Sequence, residues 1–421
     1  MNSSSNKQLF AGGAAIMLAA LLWSLDGLFL RPQFYRLPAE LVVFWEHFLG
    51  FIVLSPFLFV NWHKIKSLSR KSWGAIIWVS IFGGLIGTIM ITKAFFAAMD
   101  GEVTFATVVI LQKLQPFFAL ILARLILGEK LVPKFYFWAG VALVASYVLA
   151  FSDHGFSWQE INLSHNAAWF AILAAFAFGS STVFGKRIAN HLDYKAVAAL
   201  RFLLTSILAL ILIVANGAWL QTAEIGSLGW RLLVIIVFTS GAAAMFLYYY
   251  GLRRVSASAA TILELFWPLS ALILDYIFHK NYLNATEIIA ALVLLLAFYQ
   301  ISAWGGLRRI RFKAKVVRGM GRGNRLGYPT ANLDKTDLDI PHGVYAVKLK
   351  VVGQEYSGLM HFGFKDVFRE PVSLEVLIKD FSGDIYGEEI EVRILKKIRE
   401  VKNFPGPELL IEEIKKDLTQ I

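Results

Sequence analysis

Apolar residues fill the chain from residue 9 to residue 304 in long runs, and beyond Gly305 the pattern changes to short alternating segments rich in Lys, Glu and Asp. Crossing about 30 Å of hydrocarbon takes about 20 apolar residues. The runs predict ten membrane helices: 9–30, 40–61, 74–98, 103–127, 133–152, 166–185, 196–216, 230–251, 255–279 and 285–304. The first run is too long, and has too many successors, to be a cleaved signal. After Gly305–Gly306 the period falls to two. In Tyr345–Val351, Val347, Leu349 and Val351 face one way and Lys348 and Lys350 the other. "EIEVRIL" repeats this through Ile390, Val392 and Ile394, and "VSLEVLIKDF" reads as a third strand. "GPELLIEEIKKDL" has helical spacing at Leu409, Ile411 and Ile414, with Pro407 near its start. The expectation is a multidomain chain. Residues 1–304 form an all-α ten-helix membrane bundle, and residues 305–421 form a small β-barrel with a short basic linker and a C-terminal helix.

Composition agrees. The chain is 57% apolar, against about 45–50% for soluble domains. It has no cysteine, which removes disulfides, thiolate catalysis and Cys-based metal sites. A net charge of +11 would suggest nucleic acid in a soluble protein. Here the positive-inside bias accounts for it, and no nucleic-acid partner is expected. With the N-terminus inside, twelve Lys and Arg fall in inner loops, against only Arg31, Arg36 and Lys280 outside. Both termini are then expected in the cytoplasm of a multi-pass plasma-membrane protein.

The membrane part repeats itself, about 9–152 against 166–304. "ILQKLQPFFALIL" (Ile110–Leu122) aligns with "ILELFWPLSALIL" (Ile262–Leu274), Pro116 falling on Pro268. The preceding loops carry opposite charge: Asp100 and Glu102 in one copy, Arg253 and Arg254 in the other. An odd number of helices per copy makes the repeats inverted. With "ALLWSLDG", "PFFALILARLILGEKL" and "LRFLLTSILAL", residues 9–304 resemble the EamA-type drug/metabolite transporters. The resemblance implies two inverted five-helix halves and transport, and says little about substrate. One departure is that Glu46 stands where the repeat matches Arg201, a position at which the family often has Arg in both halves.

Ionisable groups inside a span are costly unless they face a cavity or a partner. Lys113 and Glu264 precede the matched prolines by three and four residues, where a proline frees a carbonyl. With Gln112, Gln115 and Trp267 they are expected to line a midplane cavity between the repeats. Glu46 and Arg201 are candidates for the same cavity. The alternative is a pair of structural ion pairs, Lys113–Glu264 and Glu46–Arg201. Asp26, His47, Lys93 and Asp275 are weaker candidates, since those near span ends can snorkel.

In the C-terminal domain, Gly319, Gly321 and Gly323 of "GMGRGNRLGYPTANL" let backbone amides approach an anion, and Arg322 and Arg325 add charge. Thr330 and Asn332 offer neutral oxygens suited to Mg²⁺ that also binds phosphate. Alone this stretch is equally a plain β-turn. The order "GRGNRLGYPTANL", "PHGVYAV", "VSLEVLIKDFSGDIYGEEIEV", "KIREVKNF" and a closing helix resembles the riboflavin kinase domain along its whole length. The resemblance implies ATP:riboflavin 5′-phosphotransfer giving FMN, with Mg²⁺, or Zn²⁺ or Mn²⁺, as cofactor. It makes the Gly-rich loop hold the ATP phosphates, and Thr330 and Asn332 serve the metal and phosphates. It makes Glu375 the base for the ribityl 5′-hydroxyl and puts Arg399 in the segment over the flavin. "HFGFKDVFREP" replaces the family's "PTF"-like turn, so the flavin rim is expected to differ. No adenylyltransferase domain precedes the kinase, so synthesis is expected to stop at FMN. The basic run from Arg308 to Lys315 is expected against anionic headgroups. The combined expectation is a riboflavin transporter that traps its substrate as FMN, in contact with the lipid bilayer. The rivals are a kinase tethered to a transporter of another metabolite, or a flavin-sensing domain with dead chemistry.

Overall fold

The computed structural model describes residues 3–102, 105–129, 131–151, 166–279, 284–304, 311–319, 327–336, 338, 340, 342–363, 372–402, 404 and 406–421. The chain divides into two units, Asn6–Gly306 and, grouped with Met1–Ser5, Leu307–Ile421.

Among the described residues of the first unit each expected span is largely helical. Eight helices among them, short of the ten expected, are long and apolar enough to cross a membrane: Gln8–Phe34, Arg70–Met99, Thr107–Ile126, Asn166–His191, Tyr194–Ala215, Ser227–Arg254, Ala257–Phe278 and Ala285–Ser302. Pro133–Leu149 is apolar but shorter. The expected span 40–61 is divided into Ala39–Leu54 and Pro56–Val60, with Ser55 between them. Pro56 is the cause, because it lacks an N–H and its ring crowds the preceding turn.

The repeat is visible as matched interruptions. Phe105–Gln112 stops at Lys113 and resumes as Gln115–Ile126, while Ala257–Leu263 stops at Glu264 and resumes as Phe266–His279. Pro116 and Pro268 lie just beyond these breaks and cannot donate to the turn before them. Two wide π-helical segments, Val79–Ile86 and Val237–Gly241, also correspond, their last residues 155 apart. A π turn takes carbonyls off the helical ladder and leaves them in need of donors. Gly83 O accepts from Arg201 Nη2 at 2.8 Å, and Ser240 O accepts from Trp23 Nε1 at 3.0 Å. Each half therefore supplies the donor for the other's opened turn. A Cβ on Gly83 would come within 2.1 Å of Ser181 Oγ, so only glycine allows this closeness.

A further clasp joins the halves. Buried Glu129 accepts from Ala257 N at 2.8 Å, Ser258 N at 3.1 Å and Ser258 Oγ at 2.5 Å. These are first-turn amides of the helix Ala257–Leu263, which have no partner inside their own helix and favour an anion. Just upstream, Lys186 Nζ donates to Leu252 O at 2.8 Å and Arg253 O at 3.1 Å, at the carbonyl end of Ala242–Arg254.

The second unit is a closed six-stranded barrel: β1 Arg311–Val317, β2 Thr330–Leu333, β3 Gly343–Val351, β4 Gln354–Gly363, β5 Ser373–Ile378 and β6 Glu389–Arg399. Neighbours run in the order β1-β2-β5-β4-β3-β6, every pair antiparallel. The helix Pro407–Leu418 follows. Val347, Leu349, Met360, Phe362, Val376 and Val392 fill the interior. The predicted alternation is present in β3, β5 and β6. Strand β4 escaped prediction because Leu359, Met360 and Phe362 are buried in succession on both its faces. The basic run differs from expectation at its end. Arg311 and Lys313 are outward positions of β1, where Lys313 Nζ meets Glu389 Oε1 at 2.8 Å and Arg311 meets Glu391 at 4.0 Å. That pairing holds the Lys313 ammonium above its usual pKa. Cross-strand acids already occupy charges assigned from sequence to lipid; residues 305–310, with Arg308 and Arg309, lie outside the described set.

Replacing Glu129 by Ala strands first-turn donors in a buried position. Each hydrogen bond to a charged group contributes about 1.5–3 kcal/mol, so Glu129→Ala is expected to lower the thermal midpoint of the purified chain in detergent, and Glu129→Gln to lower it less. An Ala variant that unfolds with the wild type would show that the clasp carries no stability.

Candidate functional sites

One cavity lies among the breaks and π turns of the first unit. Its wall includes all seven residues selected from sequence: Glu46, Gln112, Lys113, Gln115, Arg201, Glu264 and Trp267. At about 190 Å³ it far exceeds the roughly 10–15 Å³ that one water requires. The break residues are joined by a polar chain. Gln112 Nε2 donates to Gln115 Oε1 at 2.9 Å, and Gln115 Nε2 to Glu264 Oε2 at 2.5 Å. Thr182 Oγ1 lies 2.7 Å from Tyr248 OH and 3.5 Å from Glu264 Oε1. Lys113 Nζ stands 5.4 Å from the centre of the Trp267 ring, within cation–π range.

The two ion pairs considered from sequence give way to other partners. Glu264 takes Gln115, and Arg201 reaches Gly83 O and, at 3.4 Å, Tyr249 OH. Glu46 takes Arg31, which the loop count had placed outside. The guanidinium of Arg31 is buried between two acids, 2.6 Å from Asp26 Oδ2 and 2.9 Å from Glu46 Oε2, with Thr92 Oγ1 at 3.2 Å. A π turn, Asp26–Leu30, carries Asp26 round to face Arg31; regular helical spacing hides this pair. His47 also lines the cavity, whereas Lys93 pairs with Glu40 at 3.6 Å. The Asp275 side chain lies outside the described residues.

In the barrel, strand register gathers the predicted residues into one band. Ala331, Leu333, Leu374 and Val376 point inward, so Thr330, Asn332 and Glu375 point outward. Asn332 is directly opposite Glu375, Glu375 opposite His361, His361 opposite Val344, and Val344 opposite Arg399. His361 was missed from sequence; its position two strands from Asn332 follows only from the β4 pairing. Gly319 lies against this band. A Cβ there would come within 1.9 Å of Asn332 Nδ2, so glycine is needed for the close approach. Gly321, Arg322, Gly323 and Arg325 lie outside the described residues. Arg399 is tied to the C-terminal helix, with Nη2 2.8 Å from Asp417 Oδ2 and Nε 3.6 Å from Glu413 Oε1. It also stands 5.6 Å from the Phe404 ring. Burial pushes the Asp417 carboxyl up despite Arg399, while the hydrogen bond from Lys402 holds Glu413 down.

Comparison with known proteins agrees with both halves of this picture. The EamA-like transporter family model matches twice, over residues 10–151 and 165–303, and the riboflavin kinase model matches residues 307–421. Riboflavin transporter ImpX of Fusobacterium nucleatum is 36% identical over 292 residues, which is 69% of this chain and 97% of ImpX. RNA-binding riboflavin kinase RibR of Bacillus subtilis is 42% identical over 106 residues, 25% of this chain and 46% of RibR. The bifunctional riboflavin kinase/FMN adenylyltransferase of the same organism is 40% identical over 111 residues, 25% of this chain and 35% of that enzyme. The chain thus spans less than half of either kinase relative. It belongs to the EamA-like transporter family and carries, after its membrane unit, a riboflavin kinase domain.

Proposed function

We propose that the membrane unit admits riboflavin and that the C-terminal domain phosphorylates it with ATP, retaining the vitamin as FMN. The observation that carries this proposal is the union, in one chain, of a unit similar to a riboflavin transporter with a riboflavin kinase domain. The positive-inside bias supports a cytoplasmic barrel, where ATP is available. A phosphate adds about −1.5 to −2 charges near neutral pH, so FMN does not return readily through lipid or through a path fitted to neutral flavin.

In the kinase, Glu375 is the base. Its carboxylate takes the proton of the ribityl 5′-hydroxyl as that oxygen attacks the γ-phosphorus, and ADP leaves in line. Thr330 and Asn332 hold the divalent metal, Mg²⁺ in this proposal. Their neutral oxygens would form a hard-cation donor pair that leaves room for phosphate oxygens, and Glu375, opposite Asn332 in register, stays free to act as the base. The metal, when bound, neutralises phosphate charge. Gly319 gives the phosphate loop its approach to Asn332, and Gly321, Arg322, Gly323 and Arg325 hold the ATP phosphates. Arg399 fixes the segment over the flavin through Asp417. In the membrane unit, Lys113, Glu264, Glu46, Arg201, Gln112 and Trp267 line the transport path.

Base catalysis contributes about 10²–10⁴-fold, so Glu375→Gln is expected to lose that much FMN synthesis while nucleotide still binds. In cells with limiting kinase, the same variant should admit labelled riboflavin at the wild-type initial rate yet accumulate little. Equal long-term accumulation would remove the trap. Gly319→Ala is expected to push Asn332 aside and to cut turnover in detergent without altering the melting of the barrel; wild-type turnover would remove Asn332 from the site. Lys113→Ala and Glu264→Ala are expected to slow uptake and to leave FMN synthesis in detergent intact. Normal uptake by both would make the broken helices structural only.

A further inference from the structure

The cavity wall holds several buried polar atoms that lack a well-formed hydrogen bond within the protein, the Asp26 and Ser240 side chains standing near each other. They are Asp26 Oδ1, Arg201 Nε, Ser240 Oγ and Thr261 Oγ1. All four residues line the cavity, and none is more than 5% exposed. A buried acceptor or donor left unmade costs about 1–3 kcal/mol, so such atoms sharing one cavity mark a place where a ligand's polar groups belong. The network at the helix breaks differs. There Gln112, Gln115, Glu264, Thr182 and Tyr248 satisfy one another.

Charge narrows the ligand further. Asp26, Glu46 and Glu264 stand against Arg31, Arg201 and Lys113 around the cavity. Arg31 is already shared by Asp26 and Glu46. No surplus of either sign remains to draw a charged ligand. The unmet atoms comprise a carboxylate acceptor, a guanidinium donor and two hydroxyls that both donate and accept. Around them Phe95, Phe178, Trp23 and Trp267 offer ring faces and edges.

We propose that Asp26, Arg201, Ser240 and Thr261 are the specificity-determining face of the carrier, reading a neutral group that donates and accepts hydrogen bonds on an otherwise aromatic ligand. This rests on riboflavin being the cargo, and riboflavin has two such groups, the ring imide and the ribityl chain. Asp26 Oδ1 takes an N–H or O–H from one of them, and Arg201 Nε donates to an oxygen of the same group. The Asp26 carboxylate stays held through its other oxygen by Arg31, so the accepting atom is positioned before the ligand arrives. A phosphorylated flavin brings two negative charges to a balanced wall and is excluded, which gives the path its direction of selectivity.

The test is riboflavin counterflow by the full chain in liposomes without ATP, where kinase turnover is absent. Competitors are lumiflavin, which lacks the ribityl hydroxyls, N3-methylriboflavin, which lacks the imide N–H, and FMN. The wild type is expected to exchange riboflavin, to ignore FMN, and to disfavour one of the two analogues by about tenfold or more. Which analogue fails identifies the group that is read. Asp26→Asn should shrink that preference several-fold, and Ser240→Ala and Thr261→Val should shrink it less. Each ratio is taken within one preparation, so loss of folded protein cancels. Should Asp26→Asn exchange nothing, the ratios in Ser240→Ala and Thr261→Val decide, their remaining riboflavin exchange itself certifying that the membrane unit is folded. Analogues that both compete like riboflavin, or a ratio unchanged in every active variant, would overturn the proposal while leaving riboflavin transport standing. A wild type that exchanges no riboflavin would instead overturn the transport function on which it rests.

Discussion

A polar group placed at membrane depth must find its partner in the protein, because lipid offers none, and the first unit is organised around that demand. Its helices are opened four times at matched places: two π turns and two breaks ahead of prolines. At the two π turns the released carbonyls take a donor from the opposite half. Arg201 of the second half meets Gly83 of the first, and Trp23 of the first meets Ser240 of the second. The same openings make space for a cavity and place charged side chains on its wall. Packing, polar satisfaction and the cavity are therefore one solution, and loosening an exchange between halves removes a donor from a carbonyl of an opened turn.

The barrel meets a different demand. It closes its edges by pairing β1 with both β2 and β6, so no strand edge is left to recruit another chain. Period two then sorts its residues: apolar ones inward, and Asn332, Glu375 and His361 outward in one register line. The proposed phosphotransfer site lies on a strand line held by the backbone ladder, which suits chemistry that depends on alignment. The C-terminal helix is joined to the same band through Arg399 and Asp417.

Much of this was legible because periodicity survives in composition. Long apolar runs gave the helices, alternation gave β3, β5 and β6, and the aligned prolines gave the inverted repeat. Glu46, Gln112, Lys113, Arg201, Glu264 and Trp267 were all found by asking which polar residues sit where lipid should be. What escaped depends on local geometry that spacing does not encode. Arg31 counts as a loop charge unless the π turn at Asp26–Leu30 is known. Lys113 and Glu264 look like an ion pair until Gln115 and Trp267 are placed. His361 is one half-buried histidine in a strand without clear alternation, and only register brings it beside Glu375. Ser240 and Thr261 carry no charge, so nothing in composition distinguished them from packing residues.

The clasp made by Glu129 bears on how the protein is born. The amides it accepts from begin 128 residues further along the chain. At a synthesis rate of about 5–20 residues per second, the first half waits on the order of ten seconds in the bilayer before those amides exist. During that interval Glu129 lacks these amides and the opened π turn lacks the Arg201 donor. The second half therefore completes hydrogen bonding that the first half begins.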